Sequence, residues 1–209
     1  QYGLVKASID LAKEKGACYY SDKSLYSKGI MPVDTYNKNV DQLYPNELEC
    51  DWDTLRKEAK KYGVRNTTLS AIPPTASSSL VSNSTQGIDP IQSTTDTFEA
   101  SNFTVKSLIP DYHKEPYYMK AWELPNNNSA EYIKLMSILQ KFIDQAMSTN
   151  QWYDLTKVPN KILDSNRVKR DIFTAWKYGL KSLYYIRTKD KENTSDTIVS
   201  GCESGACNG

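Results

Sequence analysis

Cys202 and Cys207 enclose four residues in the closing run Gly201-Cys-Glu-Ser-Gly-Ala-Cys-Asn-Gly209 of a 209-residue chain. Gly205 lies between them, so the turn can bend to disulfide geometry with little strain. A loop this short closes easily and clamps little. At this position the pair has no core to staple, and chain ends are where order is weakest. From Thr188 to Gly201 the sequence shows no apolar periodicity, only polar tether. A tether of about 14 residues has a typical reach of ~20 Å and approaches ~45–50 Å when stretched. The expectation is a mobile redox arm that passes its disulfide to an external dithiol by exchange. On spacing alone, a metal-binding tail or an inert pair is the alternative.

A second group follows two prolines: Thr75-Ala76-Ser77-Ser78, at the start of a short helical stretch around 77–84. Small hydroxyl residues at such a turn offer free backbone N–H groups and a helix N-terminus, which together can hold a phosphate without a lysine. The same composition also makes ordinary loops. The third group is Tyr184-Tyr185. Neighbours in a strand point to opposite faces, whereas in a bend two phenols can stack and relay an electron with a proton. Adjacent aromatic residues also occur at 19–20, 117–118 and 152–153, so core packing is the competing explanation. His113 is the single histidine, which excludes histidine-based triads and multi-histidine metal sites. Cys18 and Cys50 show no partner pattern and read as buried or incidental thiols.

The elements that must position these groups are legible in part. Helices are expected over 2–15, with Leu4, Val5, Leu11 and Ala12 on one face and Gly16 as its stop, and over 52–62. In the second, Asp51 is the cap, Leu55, Ala59 and Tyr62 form the stripe and Gly63 is the stop. Residues 66–72 read as a buried strand ended by Pro73-Pro74, and 17–50 and most of 75–104 as irregular. The longest periodic stretch, 129–148, places Tyr132, Met136, Leu139, Phe142, Ile143 and Met147 at helical spacing, with Asn128 and Glu131 as a capping pair. A further helix is expected over 165–181, with Val168, Ile172 and Ala175 on one side, and a strand over 182–186.

Composition is that of an ordinary globular domain: 39% apolar, 24% charged, formal charge +1. No basic excess marks a nucleic-acid footprint, and no apolar run approaches the ~20 residues of a membrane span. Four cysteines are too few for a disulfide scaffold, which favours a reducing, cytoplasmic setting. Gln1 opens directly into helix, as in a piece of a longer protein.

Taken in order, the segments Asn66-Thr-Thr-Leu-Ser-Ala71, Pro74-Thr-Ala-Ser-Ser78, Ser82-Asn-Ser-Thr-Gln-Gly-Ile-Asp-Pro90, Lys141-Phe-Ile-Asp-Gln145, Leu183-Tyr-Tyr185 and Gly201-Cys-Glu-Ser-Gly-Ala-Cys207 form a recognisable set. Lys28-Gly-Ile30 and Pro32-Val-Asp-Thr-Tyr36 extend it. This closely resembles the C-terminal part of the large subunit of class I ribonucleotide reductase, over nearly the whole chain.

The resemblance implies an α/β fold, the C-terminal portion of a ten-stranded barrel over 1–187, incomplete on its own, with a flexible redox-active tail over 188–209. It implies that Thr75, Ala76, Ser77 and Ser78 bind the diphosphate of a ribonucleoside diphosphate. Ala76 replaces an acidic residue of bacterial relatives, but its backbone donor remains. Tyr184 and Tyr185 would be the last stage of a radical path, and Cys202 with Cys207 would re-reduce the active-site disulfide after each turnover.

No cofactor is expected on this segment. The radical would come from the metal cofactor of the small subunit, and the electrons from thioredoxin or glutaredoxin. The helix near 165–181 would lie by the groove that takes the small subunit's C-terminal peptide. The family's radical-forming cysteine and its reducing pair have no counterpart at Cys18 or Cys50. The expectation is therefore a chain without reductase activity alone, completed by the N-terminal part of the large subunit. Two rival roles are a stand-alone thiol carrier and a non-catalytic docking module for the small subunit.

Overall fold

A computed structural model describes residues 1–45, 47–100, 103–113, 119–124 and 128–190, with the backbone alone at 76, 96–100 and 103–107. Cys202 and Cys207 lie outside the described residues. Two units emerge. The first comprises Gln1–Pro73, Ala130–Thr149 and Ser165–Tyr185; the second comprises Pro74–Ser129, Asn150–Asp164 and the chain from Ile186.

In the first unit, α1 (Tyr2–Lys15) and α3 (Trp52–Tyr62) pack together, with the short α2 (Pro32–Thr35) and several 3-10 turns between them in sequence. The core joins Val5, Ile9, Tyr26, Met31, Val33, Trp52, Leu55, Ala59 and Val64. Both helix ranges match the sequence expectation, because their signals are local. Asp51 accepts the Thr54 N–H at 3.0 Å, and Gly63 closes α3 with φ 71°. A Cβ on Gly63 would also meet Ser21 Oγ at 2.7 Å, so the stop is fixed by packing as well as conformation. The expected faces need correction. Ser8 and Ile9 lie inward on α1 while Leu4 and Leu11 are exposed, and Tyr62 lies outside beneath the ammonium groups of Lys13 and Lys61.

Helix α5 (Ser129–Gln140) stops eight residues earlier than its periodicity indicates. The side chains that follow explain the stop. Gln140 Nε2 donates to the carbonyls of Ile143 and Gln145 (3.1 and 2.9 Å), closing a turn in place of further helix. Lys141, whose side chain is 1% exposed, donates to Asp41 Oδ1 and the Tyr44 carbonyl, both at 2.7 Å. A charge this deep persists only with such partners, and reaching them diverts the chain. Phe142, Ile143 and Met147 therefore leave the helix, and Met147 joins an extended segment instead.

Residues 66–72 form no buried strand. They are exposed to half-buried, and one parallel bridge, Ile72 to Met147, is the ladder they make. Two of their backbone donors, Leu69 and Ser70, go to the Asp144 carboxylate rather than to a neighbouring strand.

Helix α6 (Ser165–Tyr178) buries Asp171 and Ala175 and ends at Gly179, φ 76°, where a Cβ would collide with that of Asn37. Of the side expected to share a face, Ala175 is buried while Ile172 is 49% exposed; Phe173 (67%) and Trp176 (76%) are exposed as well.

The second unit carries α4 (Ala76–Ser82), an antiparallel hairpin of β1 (Thr95–Ala100) and β2 (Phe103–Leu108), and a parallel pair, β3 (Gln151–Asp154) with β4 (Ile186–Lys189). All four β3 residues are buried. Ser129 Oγ grips Trp152 by accepting its N–H and donating to its carbonyl, both at 2.8 Å, and Trp122 meets the Trp152 ring edge-on at 5.3 Å. The strand expected at 182–186 is displaced to Ile186–Lys189, where Gln151 pairs with Ile186 and Asp154 with Lys189. The architecture is thus mixed helix with short sheets, one of them parallel, that do not close into a barrel among the described residues. No helix there is long and apolar enough to cross a membrane.

Candidate functional site

Tyr184 and Tyr185 sit in irregular chain just before β4, in the first unit. Because the segment lies outside any strand, the two rings do not alternate across a sheet. Their centroids are 4.0 Å apart with planes inclined at 49°, and the residues are 50% and 42% exposed. The contact is close and tilted, and with both residues about half exposed the pair is not packed inside the core of this unit. The Tyr184 N–H donates to the Thr149 carbonyl at 2.8 Å, fixing the pair to the extended segment after α5.

That segment is organised by Asp144. Its carboxylate accepts from the Leu69 N–H at 2.7 Å, the Ser70 N–H at 3.0 Å and the Tyr26 hydroxyl at 2.7 Å. Tyr26 is 3% exposed, and its hydroxyl in turn accepts from Gln1 Nε2 at 2.7 Å. Burial first, and the bond to Asp144 second, push the Tyr26 phenol well above its ordinary value of 10.0. The folded protein therefore keeps this proton to higher pH than the unfolded chain does. Its contribution to stability is complete below about pH 10 and declines as pH rises past it. The wild-type chain is expected to lose stability above about pH 10 more steeply than Tyr26→Phe, by up to ~1.4 kcal/mol per pH unit. Denaturant titrations of both between pH 8 and 11 measure this, and parallel pH curves would refute the Tyr26 contribution.

Thr75, Ala76, Ser77 and Ser78 lie in the second unit, at the first turn of α4. Thr75 occupies the N-cap but its side chain makes no capping bond, so it does not consume the first-turn N–H groups. Ser77 and Ser78 are exposed, and the Thr75 N–H is held by the Gln86 carbonyl at 3.2 Å. Ser79 is buried, and its N–H returns to the Thr75 carbonyl at 2.8 Å. This first turn, with donors of backbone and hydroxyl type and no lysine in its sequence, suits an anion.

The structure keeps the loop and the tyrosines in different units. Cys18 is half-buried and Cys50 exposed, so of the two alternatives, buried or incidental, neither is a buried thiol. A cleft of about 510 Å³ in the second unit, lined among others by Lys120, Trp122, Asp154, Lys157 and Lys189, contains none of the sequence-predicted site residues. Sequence reasoning missed the organising roles of Asp144 and Lys141. Its one available signal was two charged residues inside an apolar helical repeat, where a fully apolar stripe would have continued.

The family described as ribonucleotide reductase, barrel domain, matches residues 1–106 and 94–186, and the chain belongs to it. It corresponds to the C-terminal part of class I ribonucleoside-diphosphate reductase alpha subunits. It is 42% identical over 214 residues to ribonucleoside-diphosphate reductase 1 subunit alpha of Salmonella typhimurium and, equally, of Escherichia coli, covering 99% of this chain and 28% of each relative. The alpha subunit of Haemophilus influenzae is also 42% identical, with 99% and 27% covered. The chain thus spans just over a quarter of the length of these curated relatives.

Proposed function

We propose that this chain is the segment of a ribonucleoside-diphosphate reductase large subunit that binds the substrate diphosphate, ends the radical path and regenerates the active site. The close, tilted contact of Tyr184 and Tyr185, 4.0 Å between centroids in a half-exposed irregular segment, is the observation that carries this reading. Thr75, Ala76, Ser77 and Ser78 hold the diphosphate by first-turn N–H groups and hydroxyls. The reaction removes the ribose 2′-hydroxyl as water and takes two electrons from a dithiol, which becomes a disulfide. Cys202 and Cys207 reduce that disulfide by exchange, become a disulfide themselves, and are reduced by thioredoxin or glutaredoxin. The metal cofactor that starts the radical belongs to the small subunit, and the N-terminal part of the large subunit supplies the remaining catalytic cysteines.

A docking role has its own support. Ile172, Phe173 and Trp176 stand exposed along one side of α6, an apolar surface of the kind a partner peptide covers. Docking of the small subunit there adds to the catalytic reading and does not compete with it.

The deciding experiment combines this chain with the N-terminal segment and the small subunit and measures deoxynucleoside diphosphate formation. Turnover is expected from the mixture and none from the chain alone. No turnover from folded, associated components would sink the proposal. Thioredoxin-linked disulfide turnover by the chain alone, with no product from the mixture, would favour a thiol carrier instead.

A further inference from the structure

Lys181 and Ser182 have no part in the chemistry above, yet both reach to one neighbouring stretch of backbone. Lys181 Nζ donates to the carbonyls of Ile143 at 3.1 Å and Asp144 at 2.6 Å. Ser182 Oγ donates to the Met147 carbonyl at 2.7 Å. Two residues later the Tyr184 N–H donates to the Thr149 carbonyl at 2.8 Å. Along 143–149, then, the carbonyls of Ile143, Asp144, Met147 and Thr149 are taken by the segment that carries the tyrosines, and three of those bonds come from side chains.

The same stretch holds a second segment. Gln145 donates its N–H to the Ser70 carbonyl at 3.0 Å, Ile72 to Ala146 at 3.3 Å, and Ser148 to Ile72 at 2.8 Å. Asp144 adds its carboxylate to the N–H groups of Leu69 and Ser70. Residues 69–72 lead, after two prolines, into Thr75. One stretch therefore sets the register both of the segment running toward the diphosphate loop and of the segment bearing the tyrosine pair. On the first side backbone bonds and a carboxylate do this. On the second side, where the chain has not yet entered β4, a lysine and a serine stand in for ladder bonds.

Burial lowers the Lys181 pKa while the charge of Asp144 acts the other way. An ammonium brought under two carbonyls, on a residue otherwise exposed, is a fixed tie and not a solvated surface charge.

Resting on the reading of Tyr184 and Tyr185 as a relay, we propose that Lys181 and Ser182 are positioning residues. They fasten the paired phenols to the 143–149 stretch, so that the pair keeps one distance from the groups on either side of it. Proton and electron handover demands this, because proton transfer needs heavy atoms within about 2.6–3.2 Å and a displacement of ~1 Å costs ~10²-fold. Substrate affinity should not depend on them.

The test uses the complete large subunit with its small subunit, and the variants Lys181→Met, Lys181→Arg, Ser182→Ala and Tyr184→Phe. Lys181→Met is expected to lower kcat by ~10-fold or more with KM for the ribonucleoside diphosphate unchanged. Ser182→Ala should act in the same direction, and Lys181→Arg, which keeps a cationic donor, should restore most of kcat. Unchanged kcat in Lys181→Met and Ser182→Ala, alongside an inactive Tyr184→Phe, would overturn the clamp and leave the relay standing. A fall in kcat matched by a rise in KM, or a Lys181→Arg variant no better than Lys181→Met, would mark a general structural role and overturn it equally. Full activity in Tyr184→Phe would instead remove the relay reading on which the clamp rests.

Discussion

Tyr184→Phe, made in the complete large subunit and assayed with its small subunit, is expected to lower deoxynucleotide formation by about 10²–10⁴-fold. Only the phenol oxygen and its proton are removed. The ring remains, and with it the 4.0 Å contact to Tyr185 and the backbone bond to Thr149. Since the residue is half exposed, the substitution leaves no cavity, and the cost in stability should stay within about 1 kcal/mol. A phenylalanine ring cannot give up an electron and a proton together at a usable potential, so the effect falls on transfer alone. Tyr185→Phe should behave alike, and thiol–disulfide exchange at Cys202 and Cys207 should proceed in both.

The chain supplies its own control for that experiment. Tyr19 and Tyr20 are also adjacent and exposed, and meet edge-on at 4.8 Å. Tyr20→Phe is expected to leave turnover unchanged, because nothing places that pair on the relay. Turnover surviving in Tyr184→Phe or Tyr185→Phe, with product measured against the unfolding midpoint of each variant, would count decisively against the pair as a relay.

What could be read from the residues beforehand follows the range of the forces involved. Helices α1 and α3 were legible because Gly16, Asp51 and Gly63 act within one turn of where they stand. The end of α5 was not, because it depends on Lys141 meeting Asp41 and Tyr44 about a hundred residues away in sequence. For 66–72, β-branched composition described the residues correctly but could not reveal that Asp144 would take two of their donors. On α6, the apolar periodicity was real, yet Ile172, Phe173 and Trp176 face outward. Periodicity reports that a face is apolar and says nothing of what covers it. The candidate site divided the same way. The loop at Thr75–Ser78 and the tyrosine pair were visible as residue types, while the ties through Lys181, Ser182 and Asp144 that fix the tyrosine segment appear only in three dimensions.

Cys202→Ser should abolish sustained turnover while sparing the first reaction cycle of a pre-reduced enzyme. In the proposed reaction, reduction of a ribonucleotide draws on an active-site dithiol already present, so one equivalent of product needs no tail. In the proposed cycle, regeneration needs both tail thiols. With Cys202 gone, Cys207 can attack the active-site disulfide and form a mixed disulfide, but the second thiol that would resolve it is missing. A serine hydroxyl cannot take its place, since it is far less acidic than a thiol and forms no S–S bond. The intermediate then waits for an outside thiol. A small soluble dithiol should rescue turnover slowly, and thioredoxin or glutaredoxin should not, because a protein reductant needs an arm that comes to it. Cys207→Ser should give the same product burst. Product counted per active site, with each reductant in turn, separates these outcomes. Steady turnover near the wild-type rate with the protein reductant would show that Cys202 and Cys207 are not the shuttle, whatever Tyr184 and Tyr185 do.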